Sequence, residues 1–206
     1  MWNSVWTSQF WPLGAYNSAA VEENAQIAYN LLRADGWEHN PAIAVIGNLI
    51  HESTGINPGQ WQGGYFEDWS GGFGIAQWTP GTKVSNYIGS QAQGVVDDGD
   101  KQMDLLMHDW SQWSTIYLQP DGSSPYYGLT GLPYITSQVD FAEDDTSSVD
   151  DLTAVWMVCW ERPAAQYAGL ATRQQYAQYY DGRLIYSEFP LWMYFQWDKK
   201  RRENRW

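Results

Sequence analysis

Apolar residues recur at helical spacing in two neighbouring segments of the first quarter of the chain. In the first segment they are Val21, Ala25, Ala28, Leu31 and Leu32, and the pattern ends near Gly36. In the second they are Ile43, Ile46, Leu49 and Ile50. Asn40 is the predicted cap of the second helix, with Pro41 at its first position and Gly55 beyond its end. The pattern therefore predicts two amphipathic helices packed side by side.

Four further helices follow from the same spacing, over about residues 79–88, 103–113, 148–162 and 172–182. Pro163 ends the third of them because proline cannot continue a helix, which places Glu161 and Arg162 at its end. Residues 119–134 are rich in Gly, Pro and Ser and predict a loop. The aromatic residues of that loop make it a cleft rim, a partner contact or an idle insertion.

A Gly-rich and aromatic stretch lies between the second and third predicted helices. Gly63-Gly64, Gly71-Gly72 and Gly74 bracket short aromatic runs, as in a small β-hairpin or a loop that a flat polymer can approach closely. The predicted fold is mainly α, of the α+β kind, with a small Gly-rich hairpin beside a cleft.

Glu52 falls in the last turn of the second helix. The carbonyl groups that end a helix carry partial negative charge and disfavour an ionised carboxylate there. Neighbours such as Trp61 and Trp78 would add desolvation, which favours the neutral acid. Glu52 is therefore a plausible proton donor, and cleavage of a glycosidic bond needs such a donor at the leaving oxygen.

Four motifs occur in a fixed order along the chain. They are GNxxxES (Gly47 to Ser53), INPGxWQ (Ile56 to Gln62), GxGxxQWTP (Gly72 to Pro80) and ERPA (Glu161 to Ala164). Together they resemble the phage tail lysozyme family over roughly residues 17–182. The Glu-Ser and Gly-x-x-Gln pairs are also similar to those of lytic transglycosylases. The resemblance implies a lysozyme-like domain that sits at a phage tail tip and cuts peptidoglycan during infection.

This resemblance suggests roles for individual residues. Glu52 is the expected general acid. Asp68 and Glu67 lie in the loop after it, where a second carboxylate could sit, although transglycosylase-like chemistry needs neither. Glu161 is a candidate acid near the site that could instead pair with an arginine or close a helix end. Gln77 is expected to bind an acetamido group or orient a water, and Ser53 to hold the acid or close the helix. The expected substrate-binding residues are Ser53, Trp61, Gln62, Gly74, Gln77 and Trp78.

Composition narrows the possible partners. The chain has 206 residues, enough for one domain with a real core, and a net charge of −13. That charge argues against nucleic-acid binding, which needs clustered Lys and Arg, and against electrostatic capture by an anionic wall. Contact with the wall would then rest on stacking and hydrogen bonds, for which fourteen Trp and fourteen Tyr are available.

No cofactor or metal site is expected. The three histidines, His39, His51 and His108, lack the spacing of zinc ligands. Cys159 falls within an apolar stripe, where an inert buried thiol is the usual outcome. The sequence also shows neither a secretory signal nor a run long enough to span a bilayer.

The predicted organisation is an aromatic arm over residues 1–16, a catalytic domain over residues 17–182 and an aromatic, basic docking tail over residues 183–206. The expected function is a virion-borne muramidase at the tail tip, with peptidoglycan as substrate and other tail proteins as partners. A structural tail-tip plug or wall-binding module, a lytic transglycosylase and a release endolysin are the alternatives.

Overall fold

A computed structural model describes residues 6–8 and 18–186, and within them the fold is built from helices. The seven α-helices are α1 Ser18–Ala34, α2 His39–Ser53, α3 Thr82–Ile88, α4 Gly99–His108, α5 Gln138–Ala142, α6 Val149–Trp156 and α7 Leu170–Tyr180. A π-helical turn, Met157–Glu161, continues α6, and two short 3-10 segments occupy Trp110–Gln112 and Ala165–Tyr167. The prediction of a mainly helical protein is confirmed.

Helix α2 is the centre of the domain. Eleven of its fifteen residues are buried, and it packs against α1, α6 and α7. Gly47 allows α7 to approach closely, because a Cβ atom there would lie 2.6 Å from the carbonyl oxygen of Arg173 and 2.7 Å from the Cβ of Ala177. The glycine of the GNxxxES motif is therefore a packing requirement of the contact between α2 and α7.

Several predicted helix boundaries are wrong by a few residues. Helix α2 begins at His39, so Asn40 is not its cap; its side-chain amide donates to the carbonyl of Ser147 at 3.0 Å. Pro41 is tolerated in the first turn because an N–H at that place has no intrahelical partner. Helix α4 ends at His108, before Trp110, and α7 begins at Leu170 after a left-handed Gly169.

The predicted Gly-rich hairpin is not confirmed. Two isolated antiparallel bridges, Trp61 with Phe73 and Phe73 with Trp78, replace its strands, and no strand forms in the described part of the chain. Ring packing holds the stretch instead, since the ring of Trp61 lies 4.7 Å from that of Trp69 and 4.7 Å from that of Phe73. The alternation of apolar and polar residues in this stretch is too short to form two paired β-strands.

Gln102 of α4 fixes this loop from beneath. Its side chain is fully buried, its Oε1 accepts from the amide of Ile75 at 2.9 Å, and its Nε2 donates to the carbonyl of Pro58 at 2.8 Å. Gly74 has a φ of 83°, and a Cβ atom there would lie 2.4 Å from Oε1 of Gln102. The loop therefore has a defined shape without regular secondary structure.

The described N-terminal residues contact α4 and the turn before it, and the described C-terminal end contacts α1. The indole of Trp6 donates to Asp100 at 2.8 Å, and the hydroxyl of Ser8 donates to Asp97 at 2.8 Å. At the other end, Gln26 donates to the carbonyl of Ile185 at 3.2 Å. The rest of the predicted arm and residues 187–206 of the predicted tail lie outside the described residues, and the predicted domain boundaries remain predictions.

Candidate active site

A cleft of about 540 Å³ opens at the C-terminal end of α2. The end of α2, the loop after it and the π-helical end of α6 form its walls. Six of the predicted site residues line it: Glu52, Trp61, Gln62, Gln77, Trp78 and Glu161. The volume is in the range of binding sites for small molecules and segments of polymers.

The other three predicted site residues do not line this cleft. Ser53 is fully buried, and its hydroxyl donates to the carbonyl of Leu49 at 3.0 Å. Gly74 is buried against Gln102, so it shapes the loop. Asp68 is fully exposed, and hydrogen bonds from the backbone and side chain of Ser70 lower the pKa of its carboxyl. Asp68 is thus placed as a solvated turn residue.

Glu52 is bound by an arginine that the sequence analysis did not identify. Nη2 of Arg173 donates to Oε1 of Glu52 in a short contact, and the side chain of Glu52 is 19% exposed while that of Arg173 is 1% exposed. The guanidinium supplies a counter-charge at the helix end, where the backbone carbonyls are electronegative. Two opposing charges therefore act on the carboxylate of Glu52: the carbonyl groups at the end of α2 disfavour its negative charge, and the buried guanidinium of Arg173 favours it.

Two further hydrogen bonds hold Arg173 in place. Nη1 donates to Oδ1 of Asn48 at 3.0 Å and Nε donates to the carbonyl of Ala168 at 2.7 Å. Asn48 is itself fully buried, and its amide donates to the carbonyls of Ala44 and Thr153. Close packing at Gly47 brings α7 near enough for these bonds. The GNxxxES motif thus encodes one unit in which Gly47, Asn48 and Glu52 all serve the contact with Arg173.

Glu161 is the second carboxyl of the cleft. It ends the π-helical turn, and Arg162 follows with a left-handed φ of 49° before Pro163. Burial raises the pKa of the Glu161 carboxyl well above its usual range, and the charge of Glu52 raises it further. Arg173, a 3.3 Å hydrogen bond from the Trp156 indole, and Arg162 oppose that rise. Burial and the nearby charge of Glu52 therefore both favour the protonated form of Glu161.

We expect Glu161→Gln to flatten the pH dependence of stability. Above pH 4.5, the ordinary pKa of this carboxyl, the native protein keeps a proton that the unfolded chain loses. The free energy of unfolding of the wild type should therefore fall as the pH rises from about 4.5 through the higher folded pKa. Glutamine has no such proton. Urea unfolding of both proteins between pH 4.5 and pH 8 checks this, and equal pH slopes would contradict it.

Two indole groups of the cleft carry donors without acceptors. Trp78 and Trp160 are 3% and 4% exposed, and neither Nε1 has a hydrogen-bond partner among the residues that the structure describes. Their rings meet edge to face at 6.1 Å, and Trp160 stacks on Trp156 at 5.0 Å. Both nitrogens are shielded from solvent, and an unsatisfied buried donor costs about 1–3 kcal/mol.

Other chemistries find little support at this site. Cys159 is fully buried, and burial raises the pKa of its thiol to about 12, so it is a poor thiolate nucleophile. No group of three or more His, Cys, Asp or Glu side chains that could hold a metal ion occurs in residues 6–8 and 18–186. Over the same residues, no helix has the length and apolar character needed to cross a membrane.

Comparison with known proteins gives two results. The family model described as phage tail lysozyme matches residues 23–183. Morphogenesis protein 1 of Bacillus phage B103 is 32% identical over 156 residues, which are 75% of this chain and 38% of that protein. The chain thus spans well under half the length of this relative. Because the family match covers the α2 motif, the glycine-rich loop and the α6 end that together build the cleft, the chain belongs to the phage tail lysozyme family.

Proposed function

We propose that the protein is a virion-borne muramidase that cuts the glycan strand of peptidoglycan during infection. The observation that carries the proposal is the cleft, in which Glu52 at the end of α2 faces the same space as Glu161 at the end of α6. Cleavage of a glycosidic bond requires a carboxylic acid at the leaving oxygen. Membership of a lysozyme family supports the choice of a glycan as substrate.

In this proposal the two carboxyls have different tasks. Glu52 protonates the leaving oxygen, and Arg173 fixes the side chain and compensates the negative charge left after the proton has gone. Burial raises the pKa of Glu161 and so favours a second protonated carboxyl in the same cleft. Either water or the acetamido group of the substrate completes the reaction, so hydrolysis and transglycosylation are both compatible with this pair.

The indole donors of the cleft also suit an N-acetylated sugar. An acetamido carbonyl or a sugar hydroxyl would accept from the N–H of Trp160 once a small shift of the ring exposes this buried nitrogen, which has no acceptor among the described residues. Gln77 contributes less freely, since its Nε2 already donates to the carbonyls of Gln60 at 3.1 Å and Gly74 at 2.9 Å. Trp160 was not predicted from the sequence, where it is one of many tryptophans.

We expect Trp160→Phe to weaken substrate binding while leaving the fold intact. Loss of one hydrogen bond of about 0.5–1.5 kcal/mol should raise KM roughly 2- to 10-fold. The free energy of unfolding should fall by about 1–3 kcal/mol, because phenylalanine leaves part of the buried indole volume empty. Steady-state kinetics on soluble glycan strands and urea unfolding measure the two quantities, and an unchanged KM would exclude the indole from binding.

Clearing of purified peptidoglycan by the isolated protein is the direct test of the activity. We expect the turbidity of the suspension to fall, with kinetics that depend on the enzyme concentration. A protein that binds the sacculi without clearing them would instead fit a wall-binding module. The residues that line the cleft favour the enzyme, since a module of that kind needs no pair of interacting carboxyls.

A structural role in the particle is the second candidate. The observation that favours it is the similarity to a morphogenesis protein of a Bacillus phage. Such a role is compatible with enzymatic activity. Mass spectrometry of purified virions distinguishes both from a release endolysin, because we expect this chain to be present in the particles in a fixed copy number.

A further inference from the structure

Three tyrosines form a compact cluster on the loop between the Trp110–Gln112 segment and α5. The rings of Tyr117 and Tyr126 stack at 4.4 Å with an interplanar angle of 17°. Tyr127 meets both edge to face, at 5.8 Å and 4.8 Å. Tyr126 is 46% exposed, whereas the other two are partly buried. One face of the Tyr126 ring is therefore covered by Tyr117, and nearly half of the surface of Tyr126 is exposed to a ligand.

The loop that carries this cluster has a defined backbone. Ser124 and Leu129 exchange two backbone hydrogen bonds, of 2.8 Å and 3.1 Å. Gly122 has a φ of 75° and accepts from the amide of Leu132 at 2.9 Å, and a Cβ atom at Gly122 would lie 2.3 Å from the carbonyl oxygen of Leu132. A ligand that stacks on such a loop pays little to order it.

A hydrogen bond connects the cluster to the wall of the cleft. The hydroxyl of Tyr127 donates to the carbonyl of Pro163 at 2.8 Å, and Pro163 lines the cleft two residues after Glu161. Burial raises the pKa of Tyr127 to about 12, so this phenol remains a donor at neutral pH. The tyrosine cluster is thus anchored at the edge of the cleft that Glu161 and Pro163 form.

The charge of the loop suits a polymer that is itself anionic. Residues 113–137 contain a single charged side chain, that of Asp121, in a chain with a net charge of −13. An anionic wall polymer is repelled less by this part of the surface than by the acidic stretches of the chain. Aromatic rings bind the apolar face of a pyranose by dispersion and by contact of its C–H groups with the ring.

We infer that the stacked pair Tyr117 and Tyr126 is a sugar-binding subsite that extends the cleft beyond Pro163 and holds glycan residues away from the bond that is cut. This inference rests on the proposed function, since it takes the glycan strand as the ligand of the cleft. The subsite adds affinity for long strands over short ones, and it gives the 119–134 loop the role of a cleft rim.

The test compares Tyr126→Ala with two controls. Tyr126→Phe keeps the ring, and Tyr176→Ala removes an exposed tyrosine of α7 that lies in the groove between α1 and α7. The probes are soluble glycan strands without stem peptides, either long or trimmed to tetrasaccharides. Dissociation constants come from calorimetry before turnover, and KM comes from the release of reducing ends.

We expect Tyr126→Ala to raise the dissociation constant and KM for long strands about 3- to 10-fold, with a smaller rise for tetrasaccharides. Tyr126→Phe and Tyr176→Ala should stay within about 2-fold of the wild type. Equal affinity of Tyr126→Ala and wild type for long strands overturns the subsite, as does a defect confined to incorporation into virions, which would indicate a protein partner.

Failure of the proposed function has a different signature. A wild type that binds the strands without cleaving them, and loses affinity on Tyr126→Ala, supports the subsite and contradicts the enzymatic activity. A wild type that cleaves them with kinetics unaffected by Tyr126→Ala supports the activity and contradicts the subsite. A wild type that neither binds nor cleaves the strands overturns both.

Discussion

Replacing Glu52 by Gln is expected to lower the rate of glycan cleavage by about 10²- to 10⁴-fold, because the amide cannot protonate the leaving oxygen. The change should fall mainly on kcat, since the cleft and its indole donors remain. Release of reducing ends from purified peptidoglycan measures the rate. Glu143→Gln, which alters an exposed carboxyl of the described structure, is the matched control and should keep the wild-type rate.

Glu52→Gln should also lower the stability of the fold. Arg173 is fully buried, and glutamine removes its counter-charge although it still accepts one hydrogen bond. We expect the free energy of unfolding to fall by roughly 2 kcal/mol, less than the ~3–5 kcal/mol typical when a buried pair is broken. Kinetics must therefore be measured below the melting midpoint of the variant, with folding checked by circular dichroism. Wild-type activity of the folded variant would remove Glu52 from the mechanism.

Replacing Arg173 by Met is expected to have the largest effect on stability. It removes donors to Asn48 and Ala168 and leaves the partly buried carboxylate of Glu52 without its cation. The free energy of unfolding should fall by about 3–5 kcal/mol. Arg173→Lys keeps the charge without the planar fork of donors, so an intermediate loss is expected. Urea unfolding at pH 7 measures both variants.

Arg183→Met provides the control for that experiment. The guanidinium of Arg183 is exposed and lies 4.2 Å from the ring centroid of Tyr179, so its loss should cost no more than about 1 kcal/mol. A similar small loss for Arg173→Met would show that the contact with Glu52 contributes little to stability. That result would contradict the inference that the GNxxxES motif holds Arg173 in place.

The helical part of the fold was predictable because its apolar stripes are long. The stripes of α1, α2 and α6 marked buried faces, and the hydroxyl oxygen of Ser148 caps α6 by accepting from the backbone amide of Asp151. Helix ends were less predictable, since they depend on tertiary contacts such as that of Asn40 with Ser147. The predicted glycine-rich hairpin is not confirmed, because the shape of this loop is set by a remote residue, Gln102 of α4.

The candidate site was predictable only where the chemistry is local. Glu52 could be placed from the length of one helix, and Glu161 from the proline that follows it. Arg173 lies 121 positions from Glu52 in sequence. No local pattern in α7, a helix rich in Gln and Tyr, indicates that the side chain of Arg173 is buried against α2. Asp68 is close to the motifs in sequence, but it lies in an exposed turn and does not line the cleft.

Mass spectrometry of the fragments released from purified peptidoglycan tests the central claim most directly. The account predicts fragments cut at glycosidic bonds, with intact stem peptides and new reducing or anhydro sugar ends that are absent with the folded Glu52→Gln variant. Intact glycan strands with severed peptides, or identical sugar ends from both proteins, would contradict the claim that this cleft cuts the strand.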